Sequence, residues 1–286
     1  MQGSSVLSQK DNKSAKQKSK SLSSLYLFEN FALFLGKKIP SNICPHSHHL
    51  LKIFISMGHS FSFEHAGKWR KIDAAIIGPD EVHRFESNEE GDYAVLYLEG
   101  DSMQARHLLK ECIGKYGICI LSSSVFIPVK TKLGELLQGD RLIDDASLVS
   151  QEILNIIFEP YTQKIIGFNT EIDPRVNKAI DFIKDSFDKK TKINMVTQEV
   201  GLSESRLIHL FTHEVGVPPR RYSLWLRLLD AINEIVQGAS FTEAAYSAGF
   251  SDSAHLSRTF RQMFGLSLID VFKNTNVNIA SSYKQD

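Results

Sequence analysis

Apolar positions change rhythm along this chain. Between residues 25 and 132 they come in short runs: Phe31 to Leu35, Leu50 to Met57, Ser60 to Glu64, Asp73 to Ile77 and Tyr93 to Leu98. Gly, Pro, His or acidic clusters separate them. Regularly spaced runs of this length predict strands of an antiparallel sandwich or barrel. From about Ser102 to Tyr116 the spacing of Met103, Leu108, Leu109 and Cys112 turns helical. Residues 133–158 keep that rhythm through Leu133, Leu136, Leu137, Ile143, Leu148, Ile153, Leu154 and Ile157. Two such amphipathic helices either pack on the sheet or form a dimer seam. Beyond Asp173-Pro174, a cap with proline at the first helical position, the pattern is all helix. Val176, Ile180, Ile183 and Phe187 form its first apolar stripe, and six further helical segments fit before residue 274. The expected fold class is therefore α+β: an N-terminal antiparallel β barrel or sandwich with flanking helices, then an all-α domain.

Composition refines this picture. At 286 residues the chain suggests two domains, and its 42% apolar content is ordinary for globular cores. Residues 1–24 are Ser- and Lys-rich, with five lysines against one aspartate, and read as a disordered tail. The boundaries expected are 1–24 tail, 25–159 β domain, 160–172 linker, 173–274 helical domain and 275–286 C-terminal tail. No run approaches the ~20 apolar residues that span a bilayer, so no membrane partner is expected. No apolar block of signal-peptide length opens the chain, and the odd count of three cysteines, Cys44, Cys112 and Cys119, reads as reduced thiols in a cytoplasm. Net charge is zero overall but split: −5 over residues 25–172 and +1 over 173–273. Any claim of nucleic-acid binding must therefore rest on local patterning.

That patterning is an internal repeat. One copy runs Gly201-Leu-Ser-Glu-Ser-Arg-Leu-Ile-His-Leu-Phe211, then Gly216-Val217; the other runs Gly249-Phe-Ser-Asp-Ser-Ala-His-Leu-Ser-Arg-Thr-Phe260, then Gly265-Leu266. In each, a short helix (Asn194 to Val200, Thr242 to Ala248) ends at a glycine, which takes the left-handed turn without Cβ strain. Ser203 and Ser251 or Asp252 suit the cap of the next helix. Leu207, Leu210 and Phe211, and Leu256 and Phe260, form its buried stripe. This is the layout of a helix-turn-helix, whose second helix is sized for a DNA major groove. Between the copies, Pro219 to Ile235 reads as one long helix.

These features resemble the DNA-binding domain of the AraC/XylS transcription regulators. The matching residues are Leu207-Ile-His-Leu-Phe211, Gly216-Val-Pro-Pro219, Tyr222, Arg227-Leu-Leu-Asp-Ala231, Ala245, Ala248-Gly-Phe250, Leu256-Ser-Arg-Thr-Phe-Arg261 and Gly265. The resemblance covers about a hundred residues, 173–273, and implies seven helices with two helix-turn-helix motifs. Leu268 stands where that family usually has proline, Lys273 where it usually has arginine, and His209 where a basic residue is common. Chemistry then assigns roles. Arg258 is the best base contact, because a guanidinium pairs bidentately with guanine. Ser205, Ile208, His209, Ser253, Ala254 and His255 are the other groove-facing candidates. Arg206, Arg220, Arg221 and Arg261 are candidate phosphate contacts.

Seven of the ten histidines lie in residues 46–107. In Pro45-His-Ser-His-His49 a strand would aim His46 and His48 to one side, where His83 of Gly78-Pro-Asp-Glu-Val-His83 could join them. The arrangement resembles, over residues 30–100, the cupin-like sensor domains of many such regulators. Metal cupins add a glutamate three or four residues after the His pair; here Leu51, Lys52 and Ile53 fill that stretch. No metal and no cofactor are therefore assigned, and His46, His48, His83 and Trp69 are candidate lining of a ligand pocket, with Phe61, Phe63 and Phe85 nearby. The expectation is a cytoplasmic DNA-binding transcription regulator with no catalytic residues. Its expected partners are double-stranded promoter DNA, an unknown small-molecule effector and a second copy of the chain, with RNA polymerase a further candidate. The alternatives are a metal-dependent cupin enzyme fused to a DNA-binding domain, and a β domain that only dimerises or binds another protein.

Overall fold

The computed structural model describes residues 23–28, 31–37, 45–48, 50–86, 91–99, 102–113, 116–139, 142–159, 172–186, 192–264 and 266–279. The expected linker up to residue 171, most of both expected tails, Cys44, His49, Phe187 and Gly265 lie outside these residues.

Among the described residues, ten strands form two sheets. They are β1 Ser23–Leu27, β2 Phe31–Gly36, β3 Leu51–Ser56, β4 Phe61–His65, β5 Lys68–Ile72, β6 Ala74–Ile77, β7 His83–Glu86, β8 Tyr93–Leu98, β9 Ile118–Leu121 and β10 Thr275–Ile279. The large sheet has the order β10-β1-β2-β8-β3-β6-β9, and a small sheet, β5-β4-β7, faces it. Helix α1, Met103–Leu108, runs into a π turn at Leu109–Ile113. Helices α2, Ile127–Gln138, and α3, Ile143–Phe158, follow.

Both faces of the large sheet are covered, so its central strands are buried end to end. Successive side chains still point to opposite faces. Leu51, Ile53 and Ile55 join Ala94, Leu96 and Leu98 against Val129, Leu133, Ile153 and other residues of α2 and α3. Phe54, Val95 and Tyr97 face the small sheet, where Phe54 meets Phe85 at 4.4 Å and Phe61 at 5.3 Å between ring centres. The tight β4–β5 hairpin turns through Ala66 (φ 51°) and Gly67 (φ 73°). Two positive φ values in a two-residue loop match the twist of the flanking strands.

Two expected boundaries move. Ser23 and Ser24, placed in the N-terminal tail, begin β1, and residues 275–279, placed in the C-terminal tail, form β10. The two strands pair in parallel from Ser23↔Thr275 to Leu27↔Ile279. A strand edge left open would expose a row of unpaired N–H and C=O groups. The alternation of Thr275-Asn-Val-Asn-Ile279 suits it to cover that edge.

The helical region contains α4 Pro174–Ser186, α5 Ile193–Val200, α6 Glu204–Val215, α7 Pro219–Val236, α8 Phe241–Ser247, α9 Ser253–Phe264 and α10 Leu268–Asn274. Its first half has a core of its own, with Val176, Ile180, Leu207, Phe211 and Tyr222. Its second half does not. Trp225, Leu228, Phe260 and Phe264 belong to the cluster that also fills the space between the two sheets.

Candidate functional site

Each helix-turn-helix is built by its caps. Gly201 ends α5 at φ 68°, and the Ser203 side chain accepts the Arg206 N–H at the start of α6. In the second unit Gly249 takes φ 74°, and Asp252 Oδ1 accepts the His255 N–H at 2.6 Å. A Cβ on Gly249 would stand 3.3 Å from the Arg227 guanidinium. That arginine donates from Nε to Ala248 O at 2.9 Å and lies over Phe250, tying α7 to the second turn. Buried Leu207, Phe211 and Val215 fix the inner face of α6, and Leu256, Thr259, Phe260 and Met263 that of α9.

The opposite faces are open. Ser205, Arg206, Ile208 and His209 are exposed on α6, and Ala254, Arg258 and Arg261 on α9, with Ser253 and His255 half-buried. Ser205, Ile208 and His209 share one shallow groove with Glu204, Thr212 and His213. The His255 ring is turned toward its own motif: Nδ1 lies 3.2 Å from Ser251 Oγ and the ring stands edge-on to Phe250. Arg220 is exposed at the start of α7. Its neighbour Arg221 is engaged by the β domain, in an ion pair with Asp80. The same loop reaches the first motif: a Cβ on Gly216 would stand 3.1 Å from Leu109 and 3.5 Å from Pro79.

Asp80 leads back to the histidines. It sits at φ 64° between β6 and β7, and its N–H donates to His48 O at 2.7 Å. His46 and His83 exchange backbone hydrogen bonds of 3.0 Å in an isolated bridge. Three imidazoles thereby converge, with one nitrogen from each of His46, His48 and His83 within 4.8 Å of the others. Lys52 projects from β3 into the same interior, its Nζ 3.4 Å from His83 Nε2 and 4.8 Å from the centre of the Phe85 ring. Burial lowers the Lys52 ammonium to about 7, and burial, then Lys52 and the other two histidines, holds His83 well below the usual imidazole range. Beside them a cavity of about 30 Å³ is lined by His46, Lys52, Phe85, Tyr97, Phe264 and neighbours.

Trp69, placed in this pocket from the sequence, stands outside it. It is 47% exposed on the edge strand β5, where Arg84 covers its ring. Phe61 and Phe63 are core between the sheets, and of that aromatic set only Phe85 lines the cavity. Sequence reasoning gave no role to Asp80, Glu99 or Trp225, although Trp225 Nε1 donates to Glu99 Oε1 at 3.0 Å where the helical region meets the sheet. Asp80 lay in view between Gly78-Pro79 and His83; the signal was its place in a turn. Among the described residues no helix is long and apolar enough to cross a membrane.

Known proteins place this geometry. A family described as "Helix-turn-helix domain" matches residues 196–274. The HTH-type transcriptional activator RhaS of Escherichia coli O139:H28 is 35% identical over 98 residues, 34% of this chain and 35% of that protein. RhaS of Salmonella agona is 27% identical over 154 residues, 53% of this chain and 55% of that protein. The chain thus spans between a third and about half the length of these relatives. Apo ToxT K231A from Vibrio cholerae strain SCE256 superposes with a TM-score of 0.57 at 15% identity, covering 86% of this chain and 97% of that one. Wild-type ToxT from the same strain, with an unsaturated fatty acid bound, gives 0.51 at 16% identity over 84% and 95%. At these identities the structures establish a shared fold, a β-rich N-terminal domain followed by a helical one. With the repeat and its caps, the family match makes residues 196–274 a helix-turn-helix domain.

Proposed function

We propose that this chain is a sequence-specific DNA-binding transcription regulator whose β domain senses a small effector. The observation that carries the reading is the pair of capped helix-turn-helix units, each with an open outer face, joined by the single helix α7. Arg258 is the base-reading residue, with Ser205, Ile208, His209, Ser253 and Ala254 on the same two faces; His255 shapes the second turn. Arg206, Arg220 and Arg261 hold phosphates. Arg221 joins them only when it leaves Asp80. The interior beside His46, His48, His83 and Lys52 is where the effector acts. Its cavity of about 30 Å³ has room for only about one or two waters, so the effector is of that size or binds with an opening of the two sheets. A second copy of the chain is a partner through α2 and α3, and promoter-bound RNA polymerase is a further one. The named relatives are transcriptional activators, in keeping with a regulator rather than an enzyme.

The test is fluorescence anisotropy of the full chain on its own upstream duplex and on a scrambled one, across a salt series. Binding is expected to prefer the natural duplex and to weaken steeply with salt, since each phosphate contact contributes about 0.9 to the log–log slope. Arg258→Ala is expected to lower discrimination by about 1–3 kcal/mol, the worth of one bidentate base contact. Equal binding to both duplexes by the natural chain at every salt concentration would overturn the reading.

A further inference from the structure

We propose that His46, His48 and His83 bind a divalent transition-metal ion, of which zinc is the simplest case, inside the β domain. The proposal deepens the sensor reading above by naming the chemistry of its input. It stands on the convergence of one ring nitrogen from each of the three and on how two of the rings are oriented. His48 Nδ1 lies 2.8 Å from Leu50 O, and His83 Nδ1 lies 2.8 Å from Glu81 O. A carbonyl oxygen only accepts, so in each neutral ring the proton sits on Nδ1 and Nε2 keeps its lone pair. Metal-binding histidines are oriented in this way, with the far nitrogen donating to a carbonyl or carboxylate and the near one directed at the ion.

Polarity decides what such a cluster takes. Converging lone pairs repel a carboxylate or phosphate and attract a cation. Lys52 already answers to that preference, with its Nζ 3.4 Å from His83 Nε2. The size also fits. Zinc–imidazole bonds of about 2.0–2.1 Å put tetrahedral ligand atoms ~3.4 Å apart. The three nitrogens stand within 4.8 Å of one another, so each pair closes by at most ~1.4 Å. Three protein ligands leave the fourth tetrahedral position open. Closure would draw on His48, whose carbonyl holds the Asp80 N–H, and Asp80 in turn holds Arg221. Metal binding is thereby wired to an arginine at the start of the helix that joins the two DNA-reading units.

The experiment is a titration of untagged, metal-stripped full chain with Co²⁺, followed by its visible absorption, with Zn²⁺ as competitor. One equivalent of Co²⁺ is expected to give the intense bands of a four- or five-coordinate site and to be displaced by Zn²⁺. Changing an outer partner of a metal ligand costs 10–100-fold, so His48→Ala and His83→Ala are expected to weaken binding by at least about 100-fold. The exposed His59→Ala is expected to leave it unchanged. Lys52→Met removes a neighbouring positive charge and is expected to tighten binding, a gain that misfolding does not mimic. Bands absent from the natural chain, bands retained in His83→Ala, or binding lost in Lys52→Met would each overturn the site. Anisotropy on the same preparations separates the two readings. Selective DNA binding without Co²⁺ binding defeats the metal site alone, and Co²⁺ binding without DNA selectivity defeats the regulator alone.

Discussion

The two helix-turn-helix units share caps, turns and an inner stripe, yet they are held in different ways. The first closes around its own core of Val176, Ile180, Leu207, Phe211 and Tyr222. It meets the β domain at a few points: Arg221 on Asp80, and Gly216 beside Leu109 and Pro79. The second has no separate core. Phe264 packs edge-on to Tyr97 at 5.3 Å, and its apolar interior is continuous with the space between the sheets. A packed core transmits displacement because it is dense and has few alternative arrangements. A change inside the β domain therefore reaches the second unit by packing and the first by a polar contact that can be exchanged for another.

The largest expected effect tests the packing half of that contrast. Phe264→Ala and Phe211→Ala each remove a buried ring, and each is expected to cost about 3–5 kcal/mol. Their reach should differ. Hydrogen exchange should report loss of protection in β8 and in α9 for Phe264→Ala. For Phe211→Ala the loss should stay within α4 to α6, with β8 protected. Equal spread from both variants would dissolve the distinction between a shared core and a private one.

A smaller effect is expected at the polar centre of the same junction. Trp225→Phe keeps an aromatic ring but removes the donor to Glu99 Oε1 in a buried setting. Hydrogen bonds to charged groups contribute roughly 1.5–3 kcal/mol, and their loss strands a buried acceptor. Chemical denaturation should show a loss in that range. Glu99→Gln replaces the carboxylate by a neutral amide, which costs less to bury without the indole donor, so combining it with Trp225→Phe should restore part of the loss. A Trp225→Phe variant as stable as the natural chain would remove this bond from the account of how the β domain holds the second unit.

The contrast also explains what the sequence could carry. The repeat was legible because each unit is specified locally: glycines at the turns, Ser203 and Asp252 as caps, and leucine and phenylalanine at helical spacing. The central strands were legible as apolar runs, with two buried faces hidden inside them. Leu51 to Ser56 reads as a single apolar strand, and only the pairing of β3 with β8 and β6 separates Ile53, toward the helices, from Lys52, toward the interior. The sequence led us to expect a strand aiming His46 and His48 to one side. The rings do converge with His83, but residues 45–48 form no strand; a single bridge from His46 to His83 and the Asp80 N–H on the His48 carbonyl hold them there. Trp69 was misplaced because nothing local distinguishes an edge strand from a central one. Strand β10 was missed for a related reason: its partner β1 lies some 250 residues away, and no short-range pattern encodes a parallel pairing over that distance.

The smallest expected effect on stability is also the sharpest probe of the polar half. Asp80→Asn removes the charge that holds Arg221. Both side chains are nearly half exposed, at 43% and 45%, so the pair should contribute no more than about 1 kcal/mol to stability. The variant should therefore melt close to the natural chain. DNA binding should respond more visibly. A released Arg221 gains the freedom to meet a phosphate, which adds about one contact and steepens the log–log salt slope by about 0.9. The gain should be uniform across natural and scrambled duplexes, because a phosphate contact positions the protein without reading bases. Arg221→Ala combined with Asp80→Asn should abolish it. A slope unchanged in Asp80→Asn would mean that Arg221 faces no phosphate even when free, leaving packing through Phe264 and Tyr97 as the route from the β domain to the DNA-reading helices.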